Sequence, residues 1–391
     1  MSIYLDHAAT TPLREEVLAA MLPYLTEHFG NASSLHADGR RARQGLDEAR
    51  ERIASIIGAK PREIVFTSGG SEADNLALKG AAWAASAQGR HIVTSSVEHK
   101  AVLHTCAILE RSGFEVTYLP VDRYGRVDPA EVEAAITDHT ALVSIMYANN
   151  EVGTIQPIPE IGAICRRAGV LFHTDAVQAG GYLPLDVDRL GVDMLSLAAH
   201  KVYGPKGVGA LFVRQGTALL PQIQGGAQER QRRAGTENVA GIVGFARALD
   251  LAQSEPAARD LENGRLAALR DQLLAAVRDI AGVEPTGHPT ERLPHNASWL
   301  IDGVEGGDLV AALDLGGVAT STGSACTSGS AEPSHVLLAM GIDPERAHGA
   351  LRLTAGRSTT AADVDRAAEV LRSSVARMRD QASPRSEVAS A

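Results

Sequence analysis

Short runs of apolar and β-branched residues alternate with longer amphipathic segments between about residues 14 and 255. The amphipathic segments, such as 40–57 and 72–87, have helical spacing, and the apolar runs between them have the length of buried strands. This alternation predicts an α/β fold with a mostly parallel seven-stranded sheet, covered by helices on both faces. The predicted strands are Ile64–Thr67, His91–Ser95, Glu115–Leu119, 141–146, 170–173, 194–197 and Gly209–Val213.

The pattern changes after residue 256. A long helix over 257–280 leads into a shorter region of strands and helices, and 360–379 has the pattern of a final amphipathic helix. We predict a large domain over residues 14–255 and a smaller α+β domain built from 1–13 and 256–380. The last residues, 381–391, are rich in Ser and Ala and are predicted to be disordered.

Composition indicates an ordinary globular protein. The chain has 391 residues, 45% of them hydrophobic and 21% charged, and its net charge of -10 disfavours a nucleic-acid surface. Cys106, Cys165 and Cys326 lack paired spacing, so neither a disulfide framework nor a metal site is expected. We find no signal-peptide or membrane-spanning pattern and expect a cytoplasmic location.

Polar motifs follow five of the predicted strands. The carboxyl ends of parallel strands meet at one edge of a sheet, where ligands bind. The motifs would bring a glycine-rich turn, an imidazole, an amide, an acid and a lysine together there. These are the groups that a phosphorylated pyridine aldehyde requires. The five motifs are 67–72, 97–99, 147–151, 173–178 and 199–201.

Each motif also has a simpler structural interpretation. Gly70 and Ser71 open a helix and could bind a phosphate, but Ser71 could equally be a helix cap. Asp175 could pair with a protonated pyridine nitrogen or cap a helix, and Gln178 lies close enough in sequence to reach the same ring. Lys201 precedes a rigid Gly-Pro turn, where a partly desolvated amine is a good nucleophile for an aldehyde; Lys206 is its competitor.

The ordered series of motifs resembles the cysteine desulfurases, which are class V aminotransferases among the fold-type-I pyridoxal-phosphate enzymes. Further matches are Tyr4-Leu-Asp-His-Ala-Ala-Thr-Thr-Pro12, the segments 30–36 and 62–69, and Arg233-Ala-Gly-Thr-Glu-Asn238. The resemblance extends over most of the chain, to about Thr360. It implies the same fold, with pyridoxal 5'-phosphate as cofactor and no metal.

The resemblance also implies roles for individual residues. Lys201 would hold the cofactor covalently as a Schiff base, and the family's dimers share their sites between subunits. The implied contacts are His99 stacked on the ring, Asp175 at its nitrogen, Gln178 at its phenolate oxygen, Gly70, Ser71 and His200 at the phosphate, Asn150 beside cofactor and substrate, and Thr236 at the phosphate of the neighbouring subunit.

Substrate specificity is predicted to depend on Cys326 and Arg352. Cys326 lies in a small, polar, glycine-containing run over 321–333 that is typical of a mobile loop. By the resemblance, its thiolate takes the sulfur of L-cysteine as a persulfide and leaves L-alanine. Arg352 matches the arginine that binds the substrate carboxylate, which suits the two parallel bonds of a guanidinium; Arg357 is a less favoured alternative.

The cysteine segment resembles the housekeeping or nitrogen-fixation group of the family. This implies a homodimer that passes sulfur to an iron–sulfur scaffold protein, and also to other acceptors such as tRNA-thiolation proteins. The alternatives are a selenocysteine lyase or aminotransferase on the same scaffold. A third alternative is a sulfur-transfer adaptor with weakened catalysis.

One position departs from the family pattern. The family usually has serine two residues before the His-Lys pair, where this chain has Ala198. A hydrogen bond from a hydroxyl to a charged phosphate contributes roughly 1.5–3 kcal/mol. We therefore expect weaker phosphate binding with the chemistry retained, unless Ser196 or a water compensates.

Overall fold

The computed structural model describes residues 2–87, 89–323 and 332–382. The strands are β1 (Ile3–Tyr4), β2 (Ile64–Thr67), β3 (His91–Ser95), β4 (Glu115–Leu119), β5 (Thr140–Ser144), β6 (Leu171–Asp175), β7 (Met194–Ala198), β8 (Gly209–Val213), β9 (Val283–Pro285), β10 (Asn296–Ile301), β11 (Val318–Ala319) and β12 (Ala350–Thr354). The helices are α1 (Glu15–Thr26), α2 (Ala37–Ile56), α3 (Gly70–Ala84), α4 (Lys100–Arg111), α5 (Pro129–Ala135), α6 (Ile158–Ala168), α7 (Val187–Leu190), α8 (Val239–Gln253), α9 (Pro256–Ala276), α10 (Gly306–Leu315), α11 (His335–Ala339), α12 (Pro344–Ala347) and α13 (Ala361–Ala382).

The central sheet has seven strands in the order β2-β8-β7-β6-β5-β3-β4. The strands from β7 to β4 pair in parallel, and β8 runs antiparallel to both β7 and β2. The predicted mostly parallel, seven-stranded sheet is therefore confirmed. The bounds of β2, β3, β4 and β8 are those predicted, whereas β6 extends two residues beyond 173, so that Asp175 is its last residue.

Neighbouring residues of the strands enter opposite hydrophobic clusters. Ile92 and Leu142 pack into a cluster with α3 and α4, whereas Val93 and Val143 pack into the cluster that contains α2, α6 and α8. Side chains alternate between the faces of a strand, so helices cover both faces of the sheet. This double cover explains why the strands read as continuous apolar runs.

A third hydrophobic cluster lies around the antiparallel sheet β12-β10-β9. It joins Trp299 and Leu351 of that sheet to α9, α10 and α13. Leu5 belongs to the same cluster, and β1 pairs in parallel with β11. We propose on these contacts that 1–13 and 256–380 form a smaller domain beside a large domain over 14–255.

The final helix α13 ends at Ala382, so residues 383–391 of the predicted tail lie outside the described residues. The predicted loop that carries Cys326 also lies largely outside them, since residues 324–331 are not described. No helix in the described ranges is both long enough and apolar enough to cross a membrane.

Candidate active site

A cavity of about 280 Å³ lies where the carboxyl ends of the central strands meet the N-terminal segment and β12. Thr236 is exposed and does not line this cavity, and Cys326 lies outside the described residues. Nine other predicted site residues line it: Gly70, Ser71, His99, Asn150, Asp175, Gln178, His200, Lys201 and Arg352. The roles assigned to them from sequence stay predictions, but the fold brings the nine side chains or backbones to one place.

Lys201 is half-buried at the end of a short 3-10 turn that follows β7. Its Nζ donates to the carbonyl oxygens of Ala8 (2.5 Å) and Ala9 (2.7 Å), which lie on the N-terminal segment. The competing Lys206 is exposed and does not line the cavity. Of the two lysines, only Lys201 is therefore placed to meet a ligand there.

Asp175 ends β6 and is 6% exposed. It accepts a hydrogen bond from the backbone N–H of Val177 (2.9 Å). Burial raises the pKa of the carboxyl, while electrostatic interactions with His99 and then Lys201 oppose that rise. A buried acid in this position is able to pair with a protonated ring nitrogen.

Gly70 is the first residue of α3, and Ser71 follows it. A Cβ on Gly70 would lie 2.6 Å from Cγ2 of Val177, so a side chain at this position would collide with the cavity wall. The first backbone N–H groups of a helix lack partners within it and attract anions. The start of this 15-residue helix therefore suits a phosphate.

His200 lines the same cavity and lies with Nδ1 3.2 Å from Oγ1 of Thr10. Burial, and then the charges of Lys201 and Lys206, lower the pKa of His200 to about 4. The ring is therefore neutral at pH 7. A neutral ring can still donate one hydrogen bond to an anion.

His99 caps α4, and its Nδ1 accepts from the backbone N–H of Ala101 (3.1 Å). In the neutral ring of His99 the proton therefore lies on Nε2.

Gln178 is 7% exposed, and its side-chain amide nitrogen donates to the carbonyl oxygen of Ala8 (3.0 Å). An amide nitrogen has two protons, so Gln178 can also donate to a ligand oxygen.

Arg352 lies on β12 and is 1% exposed. Its Nη1 donates to the carbonyl oxygens of Asn150 (2.6 Å) and Gly323 (3.0 Å), and its Nη2 to Oδ1 of Asp6 (2.8 Å). The alternative Arg357 is exposed and does not line the cavity. Arg352 is thus the better placed of the two to receive a carboxylate.

Ala198, the residue that departs from the family pattern, lines the cavity with its methyl group. Ser196 does not replace the missing hydroxyl, because its Oγ lies 2.9 Å from Nε2 of His173 and it does not line the cavity. The other two cysteines, Cys106 and Cys165, do not line the cavity. Cys106 and Cys165 are buried, and burial raises the pKa of each to about 12.

Sequence reasoning missed several residues of the cavity wall, including Asp74, Glu151 and His335. Asp74 could have been found, because it lies four residues after Gly70 on the same face of α3. His335, at the start of α11, comes from a distant part of the chain and lies with Nε2 3.0 Å from the carbonyl oxygen of Glu98. No local pattern marks it.

Comparison with known proteins shows to which family the chain belongs. Residues 3–367 match the family described as Aminotransferase class-V. The chain is 52% identical over 379 residues to a cysteine desulfurase IscS of Methanosarcina thermophila, covering 97% of this chain and 93% of that protein. It is 53% identical over 378 residues to the cysteine desulfurase IscS of Dictyoglomus turgidum, covering 96% and 95%.

Solved structures of similar proteins have the same fold as this chain. A NifS-like protein superposes with a TM-score of 0.89 at 37% identity, covering 97% of this chain and 99% of that one. A structure of SspA in complex with cysteine superposes with a TM-score of 0.80 at 38% identity, covering 90% and 98%. The likeness therefore includes both domains proposed above.

Proposed function

We infer that this chain, which belongs to the class V aminotransferase family, is a pyridoxal-phosphate-dependent cysteine desulfurase. It converts L-cysteine to L-alanine and passes on the sulfur. The observation that carries this inference is the position of Lys201, whose amine lies in one cavity with the carboxyl of Asp175 and the start of α3. Two relatives that are more than half identical over nearly the whole chain have the same printed activity.

The cavity fits the cofactor group by group. A helix start with no room for a side chain at Gly70 suits the phosphate, and a buried carboxyl suits a protonated ring nitrogen. Pyridoxal phosphate, when bound, supplies an electron-poor ring that stabilises negative charge on the α-carbon of an amino acid. We propose that Lys201 holds it covalently, and that Ser71, His99, Asn150, Gln178 and His200 make the further contacts predicted from the sequence.

We propose that Arg352 binds the carboxylate of cysteine, since its guanidinium lies on the cavity wall beside Asn150. A charge-assisted pair of bonds fixes the orientation of the substrate as well as its position. With the cofactor and substrate bound, the Nζ of Lys201 would accept the proton of the substrate α-carbon. Its position in the cavity supports this role as general base.

The thiolate of Cys326 then attacks the sulfur of the substrate. A sulfur–sulfur bond forms, and the bond between the β-carbon and sulfur breaks. Its electron pair passes to the β-carbon, which takes up a proton and becomes the methyl group, and Lys201 returns a proton to the α-carbon to complete alanine. Cys326 keeps the sulfur as a persulfide until an acceptor removes it. This assignment depends on the sequence, because Cys326 lies outside the described residues.

We further propose that the protein is a homodimer in which Thr236 reaches the cofactor phosphate of the other subunit. Thr236 is exposed and away from the cavity of its own chain, which is compatible with a contact in trans. Leu18, Leu22 and Leu25 of α1 expose about half of their surfaces, and Phe29 and Leu35 are 74% and 89% exposed. Exposed apolar side chains at such spacing are typical of an interface.

We propose that the sulfur goes to an iron–sulfur scaffold protein, and also to further thiolation pathways. The resemblance of the Cys326 segment to the housekeeping group supports this choice. Purified protein charged with sulfur should lose its persulfide to such a scaffold and not to an unrelated thiol protein. Equal loss to both would contradict a dedicated acceptor.

The activity can be tested with cofactor and L-cysteine. Alanine and sulfide should form, and mass spectrometry should find one added sulfur on Cys326. Cys326→Ala should abolish the persulfide and sulfide release, and the matched variant Cys106→Ala, which removes a buried thiol, should retain them. Full sulfide release by Cys326→Ala would overturn the mechanism, and failure of Lys201→Ala to lose covalent cofactor would overturn the assignment of the lysine.

A further inference from the structure

Asp74 is a carboxyl of the cavity wall to which neither the sequence motifs nor the proposed mechanism assigns a role. It lies in the second turn of α3, one turn after Gly70, and is 1% exposed. Its Oδ1 is buried and has no hydrogen-bond partner in the described part of the chain. A buried carboxylate without a cation is strongly destabilised, whereas a protonated carboxyl tolerates burial.

Asp74 lies close to a second carboxyl. One oxygen of Asp74, one of Asp175 and a ring nitrogen of His99 all lie within 4.8 Å of one another. Two buried carboxyls at this separation cannot both ionise without a large cost, so they share their protons as a pair. Glu98, also fully buried, adds a third acid to the surroundings rather than a cation.

The nearby His173 does not supply the missing positive charge. Its Nε2 lies 3.8 Å from Oδ1 of Asp74, but both ring nitrogens have hydroxyl partners, Ser144 and Ser196, each at 2.9 Å. Complete burial lowers the pKa of His173 to about 3. The ring is therefore neutral at pH 7.

The two carboxyls differ in the interactions that set their pKa values, although both lie within 4.8 Å of a ring nitrogen of His99. His99 and Lys201 both stabilise the ionised form of Asp175. For Asp74, burial and the charge of Asp175 raise the pKa well above its usual value, and a hydrogen bond with Ser196 opposes them only in part. The start of α3 gives little help, because the effect of a helix dipole is confined to the first turn.

We propose that Asp74 carries a proton in the folded protein, so that the Asp74–Asp175 pair holds one negative charge, located on Asp175. Asp74 is then a positioning residue that matches the charge of the pair to the single positive charge of a protonated ring nitrogen. This role of the pair depends on the proposed function, since it requires that Asp175 meet the cofactor. Protonation of Asp74 does not depend on the proposed function, because it results from contacts within the protein and needs no bound cofactor.

The proton can be counted. The full-length protein without cofactor is unfolded with guanidinium at pH 7 in weak buffer, and the released protons are measured with an indicator. Parent protein should release one proton more than Asp74→Asn, because Asp74 is neutral when folded and ionised when unfolded. Asp175→Asn should release as many protons as the parent. Equal release by parent and Asp74→Asn would overturn the proposal.

Infrared spectroscopy tests the same claim on the folded parent, and so it does not depend on how well a variant folds. Aspartate labelled with ¹³C in its side-chain carboxyl shifts the carbonyl band of a protonated aspartic acid and leaves Glu98 unlabelled. A labelled band should be present at pH 7 and absent in Asp74→Asn. In Asp175→Asn this band should disappear at a lower pH than in the parent, because a neighbouring negative charge has been removed. A parent without the band would overturn the proposal.

The two proposals fail in different ways. If the parent binds no pyridoxal phosphate but shows the proton and the band, the proposed function is wrong and the protonated Asp74 stands. If the parent binds the cofactor and converts cysteine but lacks both signals, the desulfurase assignment stands and the inference about Asp74 is wrong. If Asp74 were an ionised carboxylate with only a structural role, the parent and Asp74→Asn would release the same number of protons on unfolding.

Discussion

Asp6 and Arg352 form an ion pair of 2.8 Å at the cavity, joining the N-terminal segment to β12 across 346 positions of the chain. Because the other terminal nitrogen of Arg352 donates to two backbone carbonyls, the guanidinium is held in one orientation before a substrate arrives. Preorganisation of this kind lowers the entropic cost of binding.

The first prediction concerns this arginine. Arg352→Lys should raise KM for cysteine about 10- to 100-fold with a smaller effect on kcat, because lysine cannot form two parallel bonds to a carboxylate, and a charged hydrogen bond contributes roughly 1.5–3 kcal/mol. Asp6→Asn should raise KM less, since the arginine remains. Steady-state kinetics measures both. The exposed control Arg357→Lys should behave like the parent, and an unchanged KM in Arg352→Lys would refute the role.

The second prediction concerns the alanine that replaces the family's usual serine. Ala198→Ser should lower the dissociation constant of pyridoxal phosphate by about tenfold or more, because a hydroxyl on the cavity wall adds a bond to a charged phosphate. Titration of the protein without cofactor gives this constant. Pyridoxal without its phosphate serves as the control ligand, and its affinity should not change. A gain of equal size for both ligands would show that the hydroxyl does not act on the phosphate.

The third prediction is a pH dependence of stability. His173 stays neutral in the folded protein down to about pH 3, whereas an unfolded histidine binds a proton below about pH 6.5. The unfolded state therefore binds more protons, and stability is lost as the pH falls. Relative to His173→Gln, the parent should lose about 2 kcal/mol of unfolding free energy between pH 7 and pH 5.

Denaturant unfolding at both pH values measures this difference. His139→Gln, which changes an exposed histidine, is the matched control and should follow the parent. If the gap between parent and His173→Gln were the same at pH 7 and pH 5, then His173 would not be held neutral by burial.

The fourth prediction concerns the buried pair of Arg50 and Glu229. Their side chains are 4% and 2% exposed, the shorter contact is 2.6 Å, and Glu229 also accepts from the backbone N–H of Phe66 (3.0 Å). Glu229, Arg230 and Gln231 have positive φ angles of 46°, 56° and 64°, which non-glycine residues rarely adopt. This turn precedes the segment that carries Thr236.

Glu229→Gln should lower the unfolding free energy by roughly 3–5 kcal/mol, because it leaves the buried guanidinium of Arg50 without its charge partner. The exposed pair Arg43–Asp47 provides the control, and Asp47→Asn should cost less than about 0.5 kcal/mol. Equal effects of the two substitutions, measured by denaturant unfolding, would contradict the structural role of the buried pair.

Much of the fold follows from local sequence. The apolar runs of β2, β3 and β8 have the bounds predicted from their composition, because a strand buried on both faces needs no partner to be recognised. The site edge follows too, since the carboxyl ends of parallel strands meet. Gly70, Asp175 and Lys201 could be assigned to one site on that basis, together with the resemblance to a known family.

Other features depend on pairing between distant residues. The sequence does not reveal that β8 runs against its neighbours, or that the carbonyl oxygens of Ala8 and Ala9 receive the amine of Lys201 from 193 and 192 positions away. It does not show that Ser196 is bound to His173 and so does not replace the hydroxyl that is missing at Ala198.

The chain by itself therefore determined the elements, the order of the motifs and the kind of chemistry, because each depends on residue types at short spacing. Only the tertiary structure decided which charges meet. Asp6 reaches Arg352, and Asp74 comes beside Asp175, because the small sheet and α3 pack against the carboxyl ends of the central strands. Electrostatic energies change steeply over a few ångströms, and such distances are set by packing and not by spacing along the chain.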